Sequence, residues 1–292
     1  MMKIGLGTAQ FGMKYGISSP CKVVDDQEMA AILDLAVENS AVILDTSPAY
    51  GNAEERLGGY RSIEFFDCVT KTVTGRHRYI DESHVSRMVD HFEASLASLK
   101  LPSVYGLLVH DCHDLICDGS DRLFDALLSL KERGLVKKIG VSVYLPEEAD
   151  AILSRYDLDL LQVPLNPLNQ SFLEGDCLGA ISAMGVEVHA RSLFLQGLLL
   201  LSSENFPRRL SPLADAHECF ITCAKELGVT PLQLALNFAL GQLPVQSALV
   251  GVENLTQFRE ILHAVGNPLD LPDISHLHVP DPDWNNPAKW PK

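Results

Sequence analysis

The rhythm of this chain limits its fold more than any other feature: short apolar runs alternate with longer amphipathic ones. The runs Lys3–Thr8, Ala41–Thr46, Phe66–Lys71, Tyr105–His110, Lys138–Ser142, Leu158–Val163, Glu187–Arg191 and Ser247–Gly251 read as strands. Most are apolar without strict alternation, the pattern of parallel strands covered on both faces. Helical segments with readable ends lie between them. Asp25–Asn39 opens on two acids and sets Met29, Ile32, Leu33, Ala36 and Val37 in one stripe. Asp81–Lys100, Asp121–Arg133, Glu147–Tyr156, Cys177–Met184, Leu213–Leu227 and Asn254–Val265 follow. Four of these close at a glycine (Gly134, Gly185, Gly228, Gly266). An extra helix starts at Thr230-Pro231 and runs to Leu240. Eight β-then-α units in roughly 265 residues predict an α/β fold, a single (β/α)8 TIM barrel over residues 1–266. An open doubly wound sheet has the same element count, which does not register closure. Residues 267–292, rich in Pro and Asp and carrying Trp284 and Trp290, are expected to pack on the barrel as a tail.

Composition removes several classes of function. Asp and Glu number 38 against 23 Lys and Arg, a net charge of −15. Such a polyanion is a poor general partner for nucleic acid or an acidic membrane, since both require clustered cations. The richest apolar stretch, Leu193–Leu201, is broken by Gln196 and Gly197, so no membrane span is expected. The seven cysteines are an odd number without a Cys-x-x-Cys pair, which fits free thiols in a reducing cytoplasm.

In a barrel of this kind the C-terminal strand ends line the active site. Strand two ends in Asp45-Thr46 and runs on to Tyr50, strand three ends at Lys71, and strand four ends at His110. Each residue alone has a structural reading: a cap, a snorkelling lysine, a loop anchor, a satisfied core histidine. Together they form a coherent set. A free phenol, with a pKa of about 10, is a poor proton donor to a carbonyl near neutral pH. A lysine ammonium beside it is expected to lower that value, and Asp45 would keep the lysine charged. His110 would hydrogen-bond the carbonyl oxygen, and Tyr50 would be the general acid. None of these groups carries electrons, so a hydride cofactor is required.

The segment Asp45-Thr46-Ser47-Pro48-Ala49-Tyr50-Gly51, with Glu54-Glu55, Lys71 and His110, strongly resembles the aldo/keto reductase family. The resemblance extends from Gly5-Leu6-Gly7-Thr8 to Glu260. It implies a barrel that transfers hydride between NAD or NADP and an aldehyde or ketone, without a metal, using Asp45, Tyr50, Lys71 and His110. It also implies that Gly7 and Thr8 contribute to the cofactor site. Ser142 matches a family residue that holds the nicotinamide carboxamide, but Val143 replaces the Asn that usually follows. Gln162 and Asn166 match the family's Gln and nearby Asn. Where the family usually stacks an aromatic on the nicotinamide, this chain has Arg191, followed by Ser192 and Leu193; Gln196 and Gly197 fall where the loop approaches the pyrophosphate. Gly251, Val252, Glu253, Gln257 and Glu260 resemble the adenosine-binding segment. Acidic Glu253 disfavours a 2′-phosphate and welcomes a ribose hydroxyl, so NAD is slightly favoured.

The start Phe11-Gly12-Met13-Lys14-Tyr15-Gly16 and the Arg191–Gly197 stretch look like the branch of the family found in bacterial carbohydrate processing, which points to a sugar-derived substrate. The departures at Val143 and Arg191 support an alternative, an NAD(H)-binding regulator with little turnover. A Schiff-base aldolase using Lys71 is disfavoured, because an Asp partner keeps the lysine protonated. Gly5, Gly7 and Gly12 imitate a dinucleotide fingerprint with a misplaced third glycine and read as a turn at the barrel mouth. The run His110-Asp111-Cys112-His113-Asp114 and the His217, Cys219, Cys223 group read as packing rather than metal ligands.

Overall fold

The computed structural model describes residues 4–17 and 22–291; Lys3, Cys21 and the interrupting Ser18-Ser19-Pro20 lie outside the described residues. Its strands are β1 (Ile4–Gly7), β2 (Ile43–Asp45), β3 (Asp67–Lys71), β4 (Val104–Val109), β5 (Val136–Ser142), β6 (Leu160–Pro164), β7 (Glu187–Arg191) and β8 (Val245–Gly251). Each pairs in parallel with the next, and β8 pairs with β1, so the sheet closes into a barrel. Closure decides between the two architectures that element counting left open.

The helices are α1 (Ala9–Gly12), α2 (Asp26–Glu38), α3 (Ala53–Gly58), α4 (Glu82–Leu99), α5 (Ser120–Glu132), α6 (Pro146–Leu153), α7 (Cys177–Ala183), α8 (Ala214–Glu226), α9 (Pro231–Leu240), α10 (Leu255–Gly266) and α11 (Pro282–Asn285). Their ends have local causes. The Asp25 carboxylate accepts from the Glu28 amide to start α2, and Asp81 accepts from the His84 amide to start α4. Thr230 and Gln233 form a reciprocal capping box at α9, with Pro231 in the first turn. Gly134, Gly185 and Gly228 take positive φ after α5, α7 and α8, whereas Gly266 is the last helical residue of α10 rather than its cap. The sequence pattern does not reveal α1 and α3. At four and six residues they are too short to show a period.

Strand alternation sorts the interior. Val69, Leu108 and Leu160, with Ile43 and Tyr105, form a small cluster apart from the main core. The site residues Asp45, Lys71, His110 and Gln162 each lie two positions after one of these, and therefore on the same face of their strands. The larger core seals the helices to the outside of the barrel, with Ile32, Leu33, Leu127, Ile152, Leu236 and Phe258 fully buried. The tail is tied across the C-terminal end beside the β6 loop. Val279 donates its amide to Leu168 at 2.9 Å, and Gln170 reaches the Ile274 carbonyl at 3.0 Å.

Two glycines set the loop that carries Tyr50. A Cβ on Gly12 would come 1.9 Å from the Tyr50 carbonyl oxygen and 2.4 Å from the Ala53 amide. Gly51 takes φ +62° directly against the Gly12 carbonyl, and Arg56 donates to the neighbouring Phe11 carbonyl. Gly134 offers a control, since it has φ +73° but open space around its Cβ position. Gly134→Ala is expected to cost about 1 kcal/mol for the left-handed backbone alone. Gly12→Ala should cost about 3 kcal/mol, because backbone atoms must move. Urea denaturation of the two variants reads the difference, and equal losses would contradict the clamp.

Candidate active site

The three strand ends bring their polar groups together above the bore. Lys71 Nζ donates to Asp45 Oδ1 at 2.6 Å and to the Thr46 carbonyl at 3.0 Å. Gln162 Nε2 donates to the same Asp45 oxygen at 2.7 Å. The Tyr50 hydroxyl lies 3.5 Å from Lys71 Nζ, and the ammonium sits 5.1 Å from the centre of its ring. His110 stands edge-on to Tyr50 with ring centres 6.3 Å apart, and its Nδ1 is 3.4 Å from Ser47 Oγ. Ser47 Oγ also accepts from the Ala49 amide at 3.1 Å. The four predicted catalytic residues are therefore neighbours.

One expectation is corrected. Burial, with the Asp45 carboxylate nearby, pushes the Tyr50 phenol above its ordinary value, and Arg191 rather than Lys71 is the cation that opposes the rise. The Lys71 charge is taken up by Asp45 at 2.6 Å, nearer than the phenol at 3.5 Å. Burial also draws the Lys71 ammonium below its ordinary value, against the pull of Asp45. His110 falls to about 4, chiefly through burial and then through the Lys71 charge, so its imidazole is neutral near pH 7. Behind the lysine, the buried Glu54 takes the Thr70 hydroxyl at 2.5 Å, and burial raises its carboxyl.

These groups form the floor of a cavity of about 660 Å³ that extends to the end of β8 and the start of α10. Gly7, Ser142, Gln162, Arg191, Ser192, Leu193, Gln196, Gly197, Gly251, Glu253, Gln257 and Glu260 line it. Two expected cofactor residues do not. Thr8 is fully buried and donates its hydroxyl to the Asp45 carbonyl at 3.0 Å, and Val252 is buried against the core. Asn166 is also buried; its side chain donates to the Ser192 carbonyl at 3.0 Å and accepts from two amides of its own turn. The loop after β7 is strained: Ser192, Leu195 and Gln196 all take positive φ, which Gly197 after them adopts freely. Such clustering marks a segment over-determined by its surroundings, as at ligand clamps.

Arg191 is held by three neutral acceptors: Ser142 Oγ at 3.1 Å, Ser192 Oγ at 3.2 Å and the Val143 carbonyl at 2.9 Å. Its guanidinium carbon lies 4.1 Å from the centre of the Tyr144 ring. Tyr144 was missed in the sequence because it stands past the end of β5, where strand alternation no longer fixes the side of the chain. Tyr15, Gln10, Phe194 and the tail residues Pro287 and Ala288 also line the cavity unforeseen, because loop and tail paths carry no periodic signal. Among the described residues no group of three or more His, Cys, Asp or Glu side chains is arranged to hold a metal ion. Asp111 pairs with Arg76, Asp114 with His77, and His217 packs on Phe206. The six described cysteines are free, and no helix among the described residues is long and apolar enough to cross a membrane.

Barrel and cavity together define a pocket at the C-terminal strand ends whose floor carries Asp45, Tyr50, Lys71 and His110. The profile of the aldo/keto reductase family matches residues 3–279. L-galactose dehydrogenase of Arabidopsis thaliana is 27% identical over 279 residues, covering 90% of this chain and 83% of that protein. Among solved structures, an aldo-keto reductase of Bacillus halodurans superposes with a TM-score of 0.73 at 18% identity, covering 94% of this chain and 90% of that one. The glycerol dehydrogenase of Gluconobacter oxydans gives 0.68 at 23%, covering 96% and 93%. The chain belongs to the aldo/keto reductase family and is an oxidoreductase of the NAD(P)-dependent kind, acting on small carbonyl compounds or alcohols.

The depressed His110 value has a measurable consequence. An unfolded chain binds a proton on this histidine below pH 6.5, whereas the folded one waits until about pH 4. Stability from this group is therefore complete above pH 6.5 and is lost as pH falls through the window down to about 4. Between pH 7 and pH 5 the loss is about 2 kcal/mol. Urea denaturation at the two pH values should show that slope in the wild type and a flatter one in His110→Gln; parallel slopes would contradict it.

Proposed function

We propose that the enzyme interconverts a small, sugar-derived aldehyde or ketone and its alcohol, with Tyr50 as general acid and with NAD(H) bound at least as well as NADP(H). The observation that carries the chemistry is the hydrogen-bonded cluster of Asp45, Lys71, Tyr50 and His110 at one end of the cavity. The residues fit a nicotinamide dinucleotide by shape and donor set. The cavity is long, the Gly197 turn leaves open space around its Cβ position, and the polar Gln162, Ser142 and Gln257 face inward. Ser142, Gln162 and Arg191 would hold the nicotinamide end, and Gly251, Glu253 and Gln257 the adenosine end.

When bound, the reduced nicotinamide supplies a hydride to the carbonyl carbon. The chain's own groups manage the oxygen. Tyr50 donates its proton as negative charge grows there; burial keeps the phenol protonated but makes it a weaker acid, so the transfer waits for an oxygen approaching alkoxide basicity. Lys71, its charge shared with Asp45, stands 3.5 Å from that hydroxyl as a hydrogen-bond donor to the oxygen left behind. Asp45 and the Thr46 carbonyl fix the ammonium in place. The neutral imidazole has Ser47 Oγ 3.4 Å from its Nδ1; in the tautomer with the proton on Nε2, Ser47 donates to Nδ1 and Nε2 would donate to the same oxygen. Oxidation of the alcohol runs these steps in reverse.

Support for a polyhydroxylated substrate comes from the names of two relatives, a galactose dehydrogenase and a glycerol dehydrogenase. The preference for NAD(H) rests on charge. Glu253 and Glu260 line the adenosine side, and Arg259 is exposed outside the cavity lining. A phosphate dianion there meets two carboxylates. The intact proton donor argues against a purely regulatory role.

Tyr50→Phe should lower kcat by about 100-fold or more while the Kd for NADH changes little. Fluorescence titration and steady-state kinetics with an aldose panel measure both, and a Phe variant that turns over normally would refute the assignment. Glu253→Gln is expected to tighten NADPH relative to NADH. Wild-type protein binding NADPH about tenfold tighter than NADH, a difference of about 1.4 kcal/mol, would overturn the preference.

A further inference from the structure

The charges around the reactive end of the cavity do not balance. Lys71 is neutralised by Asp45 within 2.6 Å, and His110 is uncharged near neutrality. Arg191 remains. It lines the same cavity, yet no carboxylate of the described residues forms an ion pair with it. Its three hydrogen bonds go to two hydroxyls and a carbonyl, which leaves one N–H on each terminal nitrogen without a protein acceptor among the described residues. Its charge reaches the reactive groups, since it weighs on Tyr50, Lys71 and His110 alike.

We infer that Arg191 is a specificity determinant that receives an anionic group of the substrate, so that the enzyme prefers carbonyl compounds carrying a carboxylate or a phosphate a few bonds from the reacting carbon. A guanidinium offers a planar fork that matches a carboxylate or phosphate in two parallel hydrogen bonds. Here the plane is set in advance: Tyr144 covers it at 4.1 Å while Ser142 and the Val143 carbonyl hold its edge. A side chain ordered before binding loses little further entropy when the ligand arrives. An uncompensated cation in a partly dry pocket is costly, and an anionic ligand relieves that cost. The remaining acids of the lining, Glu253 and Glu260, follow the end of β8, so the cavity has a cationic and an anionic end. The inference rests on the oxidoreductase reading and narrows its substrate class.

The alternative source of such an anion is the diphosphate of the cofactor, and the experiment separates the two. Succinate semialdehyde and butanal share a four-carbon aldehyde and differ in a terminal carboxylate. The wild type should favour the former in kcat/KM by about tenfold or more, and Arg191→Gln should bring the ratio to within about threefold of unity. Arg191→Lys, which keeps the charge but not the fork, should restore part of the preference. Independently of turnover, calorimetric titration of succinate into the cofactor-free protein should show binding that weakens about tenfold in Arg191→Gln and in high salt. A wild type that reduces both aldehydes without preferring the anionic one would overturn the inference, whether or not the variants fold. So would equal losses on both aldehydes, or an effect of Arg191→Gln confined to the Kd for NADH. Tyr50→Phe protein separates this from the parent reading, because it should still bind succinate after turnover is gone. If no carbonyl compound is reduced by the wild type while succinate still binds through Arg191, the catalytic assignment fails and the anion site stands.

Discussion

A single buried ion pair organises the reactive end of this barrel. Lys71 and Asp45 lie 2.6 Å apart with almost no exposure of either side chain, and neither is tolerable there alone. Removing one partner of such a pair typically costs about 3–5 kcal/mol, because a lone charge is left in a poorly solvated place. That energetic constraint fixes the end of β2 against the end of β3, which are parallel neighbours in the sheet. The Gln162 amide extends it across the bore, from β6 to the same carboxylate oxygen. The phenol and imidazole are then arranged around a charge pair that has no room to move.

The placement above the bore follows from strand geometry. A strand repeats its facing every two residues, so a polar residue two steps after an inward apolar one also points inward. Ile43 and Asp45, Val69 and Lys71, Leu108 and His110, and Leu160 and Gln162 all obey this rule, with the apolar member filling the bore and the polar one reaching the cavity. The barrel is thus an apolar plug topped by a polar floor. A shift of one residue in any of these strands would exchange a core side chain for a site residue.

This parity explains how much was readable in advance. Eight strands, their order and the clustering of Asp45, Tyr50, Lys71 and His110 are carried by local pattern and by a tightly spaced motif, and the strand limits agree to within two residues. Closure was implied by the family resemblance but not by element counting, since it depends on β8 meeting β1 across the whole length of the chain. The direction of the Tyr50 shift was misjudged because the neighbouring cation was weighed and the cost of burying a phenolate was not. Thr8 and Val252 were assigned to the groove by analogy, whereas alternation turns them into the interior. Tyr144 and the tail residues were invisible because irregular segments have no period to betray their course.

The tail gives the molecule an adjustable rim. Pro287 and Ala288 form part of the cavity wall, yet the segment that bears them is fastened by the buried Ile274, Leu277 and Trp290 and by hydrogen bonds to Leu168, Asn169 and Gln170 of the loop after β6, and belongs to no strand ladder. Changes in that segment can reshape the entrance without altering the register of the eight strands. Divergence in what descendants of this scaffold admit can therefore accumulate at the periphery while the cluster of Asp45, Tyr50, Lys71 and His110 stays as it is.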